Sequence, residues 1–274
     1  MKGRTRIASI AANLFAFLVS LTMLIPISLV LVNSVKTKGE ASSLSFRLPK
    51  TIVWENFLTV IEQGKLLRSF LNSMLYSVSS VALIVLLASM TAYVLSRRRT
   101  RLHRALYSYL VLGLTLSLNH IALINIMKAL RLLDTRAGIV ILYTALQLPF
   151  AVFLLHSFVS SVPKELDEAG IVDGCPPLRL FFSVVFPILK PAVVSVAILN
   201  FLNTWNEFTL PLYYLSSSLK WPMTNSIYIF YGQYAASWNL VSADIVLTSL
   251  PVVIIYLLGQ KYIVDGMTVG AVKG

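Results

Sequence analysis

Residues 164–175 read Lys-Glu-Leu-Asp-Glu-Ala-Gly-Ile-Val-Asp-Gly-Cys and place four carboxylates and two glycines between long apolar stretches. The chemistry open to such a loop is narrow. Glu165, Asp167 and Glu168 suit the first turns of a helix, where the backbone dipole favours negative charge. Pro163 suits the first helical position, because its missing N–H would have no partner there anyway. Asp173-Gly174 is a turn signal that stops the helix, and Pro176 or Pro177 then starts a second helix that leads into the next apolar run. A short helix joined rigidly to a membrane span can pass a push from a partner into a bundle. Ala169 and Gly170 admit a close partner backbone, and Glu168 can pair with a partner's arginine. The plainer reading is a charge run that only solvates a loop.

No other segment offers a motif for catalysis. Gly64-Lys65 is the only Gly-Lys pair, and Thr59 stands where a phosphate-binding loop needs its first glycine. There is no Gly-x-Ser-x-Gly elbow and no His-Glu-x-x-His helix. His103, His120 and His156 are far apart, and the last two fall in or near apolar runs without a carboxylate close in sequence. An ionisable group inside a membrane is a functional candidate by default, yet only Glu207 and Asp244 approach the spans, both near predicted ends. That argues against a carrier driven by its own proton or ion relay, and against an enzyme. Energy has to come from a partner.

The elements that must position the loop are membrane helices. The chain has 274 residues, 57% hydrophobic and 12% charged, too apolar for a soluble domain. Four uncharged runs exceed the roughly 20 residues that cross a bilayer, a fifth is interrupted at Lys190, and a sixth, Ile245 to Gln260, is short. The expected fold is an all-α polytopic membrane protein with six spans, about 7–33, 70–96, 105–127, 138–161, 182–210 and 243–262, in one domain over 1–274. The first run is too long for a signal peptide and lacks a cleavage site, so it is the first span, with a kink expected at Pro26. Trp221 to Ala243 is uncharged but rich in Tyr, Asn, Ser and Gln, which suits a non-spanning outer segment. Arg97, Arg98, Arg99, Arg101 and Arg104 crowd one short link and, by the positive-inside rule, place it in the cytoplasm together with both termini and the acidic loop. The six basic residues between Lys36 and Ser69 argue the other way for the first loop. A net charge of +12 is accounted for by this anchoring and by anionic headgroups, without nucleic acid. The lone Cys175 forms no internal disulfide and belongs to no metal-ligand cluster.

Glu168-Ala169-Gly170, then Asp173-Gly174-Cys175, Phe181-Phe182, Pro187 and Pro191, resembles the cytoplasmic loop of ATP-binding-cassette importer permeases. The family pattern is Glu-Ala-Ala, two residues, Asp-Gly-Ala, a phenylalanine and a Leu-Pro about fourteen residues past the aspartate; Pro187 is fourteen beyond Asp173. Further segments resemble the second membrane subunit of maltose-type carbohydrate (CUT1) permeases: Ser34-Val35-Lys36-Thr37, Asn72-Ser73, Leu133-Asp134-Thr135, Trp205-Asn206-Glu207-Phe208 with Pro211-Leu212, and the closing Gly270-Ala271-Val272-Lys273-Gly274. Gly170 and Cys175 replace the usual alanines, Pro176-Pro177 is unusual, and Ser117-Leu118-Asn119-His120 replaces a proline-containing stretch. The resemblance implies a type I importer permease fold. It makes 163–180 a coupling loop in which Glu168, Ala169, Gly170, Asp173 and Gly174 dock in a cleft of an ATPase subunit.

It also implies partners: a different permease subunit, two ATPases that hold ATP and magnesium, and an extracellular or periplasmic sugar-binding protein. This chain itself would bind no cofactor, catalyse nothing and reside in a bacterial or archaeal cytoplasmic membrane. The rival solutes for the same architecture are a polyol or glycerol phosphate, and the rival class is a stand-alone carrier. Asn200, Asn203 and Asn206 recur every three residues, and with Glu207 they form either a lining for a hydroxyl-rich substrate or a set of interhelical hydrogen bonds. Tyr213, Tyr214, Trp221, Tyr228, Phe230, Tyr231, Tyr234 and Trp238 form either an interfacial belt or a sugar-stacking surface.

Overall fold

A computed structural model of the chain describes residues 2–98, 100–231 and 236–271. Arg99, Tyr234 and Val272-Lys273-Gly274, invoked above, lie outside the described residues. Regular structure there is helical, with an isolated antiparallel bridge between Tyr231 and Ala236. In order come α1 (Lys2–Ser34), α2 (Lys38–Ala41), α3 (Glu55–Gln63), α4 (Leu66–Arg97), α5 (Arg101–Leu112), α6 (His120–Ala129), α7 (Arg136–Ser161), α8 (Glu165–Val172) and α9 (Pro177–Leu180). A π-helical stretch Phe181–Val185 follows, then α10 (Phe186–Ile188), α11 (Lys190–Asn206), α12 (Thr209–Tyr214), α13 (Met223–Ser226) and α14 (Trp238–Ala271).

Among the described residues, four stretches are long and apolar enough to cross a membrane: Ala12–Ser34, Leu66–Arg97, Arg136–Ser161 and Trp238–Tyr262. Pro177–Ile188 and Lys190–Asn206 make a fifth only as a pair bent by 79°. The bend has a cause in the prolines. Pro187 and Pro191 each remove a backbone donor, and the Phe186 N–H reaches back to the Phe181 carbonyl across a π turn, a common source of helix kinks. The expected third span, 105–127, is not one helix. Gly113 ends α5, its N–H shared between the Tyr109 and Leu110 carbonyls, and the Asn119 side chain accepts the Ala122 N–H at 3.1 Å to start α6. The Asn119 cap starts a new helix inside an apolar run whose mean composition does not reveal the break. The helix that contains the expected sixth span begins at Trp238, ahead of 243, so the tail of the expected outer segment is helical.

Contacts divide the chain into two compact units, Met1–Arg68 with Ser226–Leu250 and Ser69–Asn225 with Pro251–Gly274. In the first, α1 leaves Phe15, Phe17 and Met23 exposed along its length. Its end is instead polar and buried. Lys36 Nζ donates to Asn33 Oδ1 at 2.9 Å, and Asn56 Nδ2 donates to the Ser34 and Lys36 carbonyls at 2.9 and 2.8 Å. Asn239 donates to Asn56 Oδ1 at 2.8 Å, and Ser226 to Asp244 Oδ1 at 2.8 Å. Thr37 and Glu40 form a capping box for α2.

Among the described residues, the second unit has two apolar clusters. Ile84, Ala88, Ala92 and Leu95 of α4 recur at helical spacing and meet Ala151, Val152, Leu155 and Val159 of α7, closed by Phe181, Val185, Leu189, Ala192 and Val196. Buried Ser77, Ser80, Ser89 and Ser96 share α4 with them, the small residues that membrane helix contacts favour. The other cluster joins Tyr76, Met127, Ile139, Leu142 and Tyr143 to Leu210, Tyr214 and Leu215.

Candidate functional site

The acidic segment forms α8, and each of its ends has a local reason. The helix starts at Glu165 rather than at Pro163: Val162, preceding the proline, is extended at ψ 126°, and Lys164 is the N-cap. At the other end the Cys175 N–H bonds the Gly170 carbonyl at 2.9 Å and the Gly174 N–H bonds the Ile171 carbonyl at 3.0 Å. This is a Schellman ending, which needs a left-handed residue; Gly174 supplies it with φ +70°. Pro177 then occupies the first turn of α9 behind Pro176. Glu168, Ala169, Asp173 and Gly174 are exposed. So are the apolar side chains of Ile171 at 65%, Val172 at 86% and Leu178 at 63%, and less so Leu166. Gly170 is not part of that outer face. A Cβ on it would fall 2.4 Å from Leu180 Cδ1, so its small size serves packing against α9.

Asp167 departs from the expectation of four carboxylates in water, being only 7% exposed. It forms an ion pair with Arg97 Nε and accepts the Tyr93 hydroxyl at 3.4 Å. Arg97 Nη1 donates to the Val162 carbonyl at 3.1 Å and lies 3.4 Å from that of Val159. The last residue of α4 therefore holds the end of α7 and the first turn of α8 together. Sequence reading missed it because Arg97 sits in a run of arginines that signals topology. The available signal was Tyr93 and Arg97 four apart, beside the apolar stripe of Ala88, Ala92 and Leu95.

The asparagines of α11 do not share one surface. At 3.6 residues per turn a three-residue step drifts by about 60°, so two steps turn through about 120°. Asn200 is fully buried and donates to the Val196 carbonyl at 2.8 Å, whereas Asn203 and Asn206 are exposed. Glu207 Oε1 accepts the N–H groups of Thr209 and Leu210 at 2.7 and 3.0 Å, capping α12. The polar link between α7 and α11 is one that sequence reading did not single out, Gln147 Nε2 donating to Thr204 Oγ1 at 2.8 Å.

Motif residues at the start of α4 and before α7 grip the segment after α12. Asn72 Nδ2 donates to the Leu219 and Trp221 carbonyls at 3.0 and 3.1 Å, the Tyr76 hydroxyl to Lys220 O at 2.8 Å, and the Met223 N–H to Ser73 Oγ at 2.8 Å. Lys220 bonds the Asp134 carbonyl and pairs with its Oδ2 at 2.9 Å. Of the histidines, His156 stacks on Tyr107 at 4.1 Å beside a cavity of about 620 Å³ shared with His103 and Arg104. His120 lies 5.2 Å from the Tyr213 ring.

The long apolar helices define an integral-membrane protein. Residues 84–269 match the binding-protein-dependent transport system inner membrane component family, and the chain belongs to that family. Family members are the multi-pass membrane component, and ATP hydrolysis is the work of separate ATPase subunits. The chain is 33% identical to the melibiose/raffinose/stachyose import permease of Bacillus subtilis (strain 168), over 96% of each chain. It is 34% identical to the diacetylchitobiose uptake system permease of Streptomyces coelicolor, over 93% of this chain and 85% of that one. Its fold is similar to that of a bacterial ABC transporter involved in the import of the acidic polysaccharide alginate, with TM-score 0.82 at 24% identity over 94% and 96% of the two chains. The family and the type I permease fold read from the loop are thus borne out.

Proposed function

We propose that this chain is the second permease subunit of an ATP-driven, binding-protein-dependent carbohydrate importer and that α8 is where it couples to the ATPase. The observation that carries the coupling role is the two-sidedness of α8. One side is fixed through Asp167 and Gly170 to its own chain; the other offers Glu168 and Val172, with exposed Ile171 at its edge and Leu178 of the neighbouring α9 beside it. Exposed apolar side chains grouped around a charge mark an interaction surface, and an ATPase cleft would cover them. The relatives named for oligosaccharide and chitobiose uptake support the carbohydrate reading.

In this reading the bundle crosses the membrane six times, with the third crossing divided between α5 and α6 and the fifth bent at Leu189. Both termini and α8 are cytoplasmic. ATP and magnesium sit on the two ATPase subunits. Their closure moves α8, and the bundle, paired with a different permease, opens outward to take sugar from the binding protein. In the same reading Asn203, Asn206 and Glu207 line the path, which the exposure of the two asparagines supports, while buried Asn200 serves packing. The test is uptake by the assembled transporter carrying Glu168→Lys or Gly174→Pro. Both variants insert and both lose uptake; wild-type uptake by the two would overturn the coupling role.

A further inference from the structure

We infer that Arg97 and Asp167 form the rigid link that transmits movement of α8 into the spans α4 and α7. This rests on the reading of α8 as the ATPase-docking helix and adds the residue through which the push leaves it. Two routes lead from α8 into the bundle. One runs through the chain itself, by the Gly174 turn and α9 into the bent α10–α11 pair, where the π turn and two prolines leave a joint. The other runs through Arg97. Its guanidinium meets the Asp167 carboxylate with Nε and the α7 carbonyls with Nη1, and it lies 6.0 Å above the Tyr93 ring.

The geometry makes this second route stiff. The guanidinium is planar and always charged, so one side chain can hold two elements at once, α8 by the ion pair and the end of α7 by the Nη1 hydrogen bond to the Val162 carbonyl. Both side chains are close to buried, at 13% and 10% exposure, where an ion pair is poorly screened and breaking it strands a charge. Tyr93, four residues before Arg97 on the same helix, adds a second bond to the same carboxylate. Three elements, α4, α7 and α8, therefore move as one body about this contact. Arg97 and Asp167 touch neither substrate nor nucleotide in this scheme; they are positioning residues.

The test uses the complete transporter, reconstituted with its partner permease and ATPase subunits. Cys175 is replaced by serine, and spin labels are placed at Val94 on α4 and Val172 on α8, both exposed. Distances are measured without nucleotide and after trapping with ATP and vanadate. In the parent protein the Val94–Val172 distribution is narrow and keeps its maximum in both states. Arg97→Gln combined with Asp167→Asn removes the link without stranding a charge, and its distribution broadens and shifts on trapping. Asp167→Glu restores the single maximum, which loss of general stability would not predict. If the double variant matches the parent in both states, the link is refuted. The Val172 label also reports docking, by becoming immobile when the ATPases bind. Failure of that signal in every protein removes the docking role of α8 and this inference with it. Immobilisation together with an unchanged distance in the double variant removes only the link.

Discussion

Gly170 and Leu180 touch across the corner between α8 and α9, with Leu180 Cδ1 occupying the space of a missing Cβ at 2.4 Å. In the permeases whose loop this one resembles, alanine is usual at the Gly170 place, so here the leucine has taken the room of a methyl group. Gly170→Ala forces the tip of the Leu180 side chain aside, an overpacking of about 1 kcal/mol that the better helix propensity of alanine offsets in part. Leu180→Val, made in the same chain, returns that room. The double variant should be more stable than the sum of the two single changes by at least ~0.5 kcal/mol, read from thermal unfolding in detergent. Strict additivity would mean the two side chains do not share that space.

Gly174 is held by its backbone alone. Nothing lies within 4 Å of a Cβ built there, so any cost of substitution comes from φ +70°. Gly174→Ala should cost about 1–2 kcal/mol for the left-handed conformation, and Gly174→Asn less, since asparagine tolerates that region. Gly174→Pro is different in kind, because the ring fixes φ near −65° and the Schellman ending is lost. The expected order in uptake is Gly, Asn, Ala, then Pro with none. Equal uptake by Ala and Pro would refute a role for the turn.

What was legible in the sequence was what local chemistry decides. Asp173-Gly174 and Pro177 fix the end of α8 and the start of α9 from their own residues, and the long uncharged runs found α1, α4 and α7 to within five residues at each end, whereas α14 extends past its expected span at both ends. The failures have a common origin in contacts or caps that a hydropathy average does not see. Gly113 and Asn119 split a run whose mean composition reads as one span. Asp167 reads as a solvated acid until Arg97, seventy residues earlier, is brought against it by helix packing. Asn200 and Asn206 look alike in spacing, and only the accumulated turn of the helix puts one in the core and the other outside.

Asn72 offers a test of the clamp on the segment after α12. Its amide donates to two carbonyls, Leu219 and Trp221, in a site where the residue is only 3% exposed. Asn72→Ala leaves both carbonyls without this donor, a loss of about 1–3 kcal/mol. Asn72→Asp is worse despite its nearly equal shape, because it points a negative oxygen at two carbonyl oxygens where a donor is needed. The expected stability order, from unfolding in detergent near neutral pH, is Asn, Ala, Asp. An aspartate variant as stable as the alanine one would mean that Asn72 acts by shape and not by donation.

Asp134 makes the same region sensitive to acid. The Lys220 ammonium bonded to its carboxylate, helped by the Ser216 N–H at 3.0 Å, holds the carboxyl below its ordinary value. A lowered folded-state value means that the unfolded chain binds the proton more readily. The contribution is therefore complete above the unfolded value of about 4 and is lost as pH falls through the folded one. Asp134→Asn is a clean probe, since asparagine accepts the positive φ of 55° found there. The gap in unfolding temperature between parent and variant should be widest near neutral pH and close as the pH drops below about 4. Because the pair is partly exposed, added salt should narrow the gap at neutral pH as well. A gap that stays constant across pH and salt would show that Asp134 contributes through its hydrogen bonds and not through its charge.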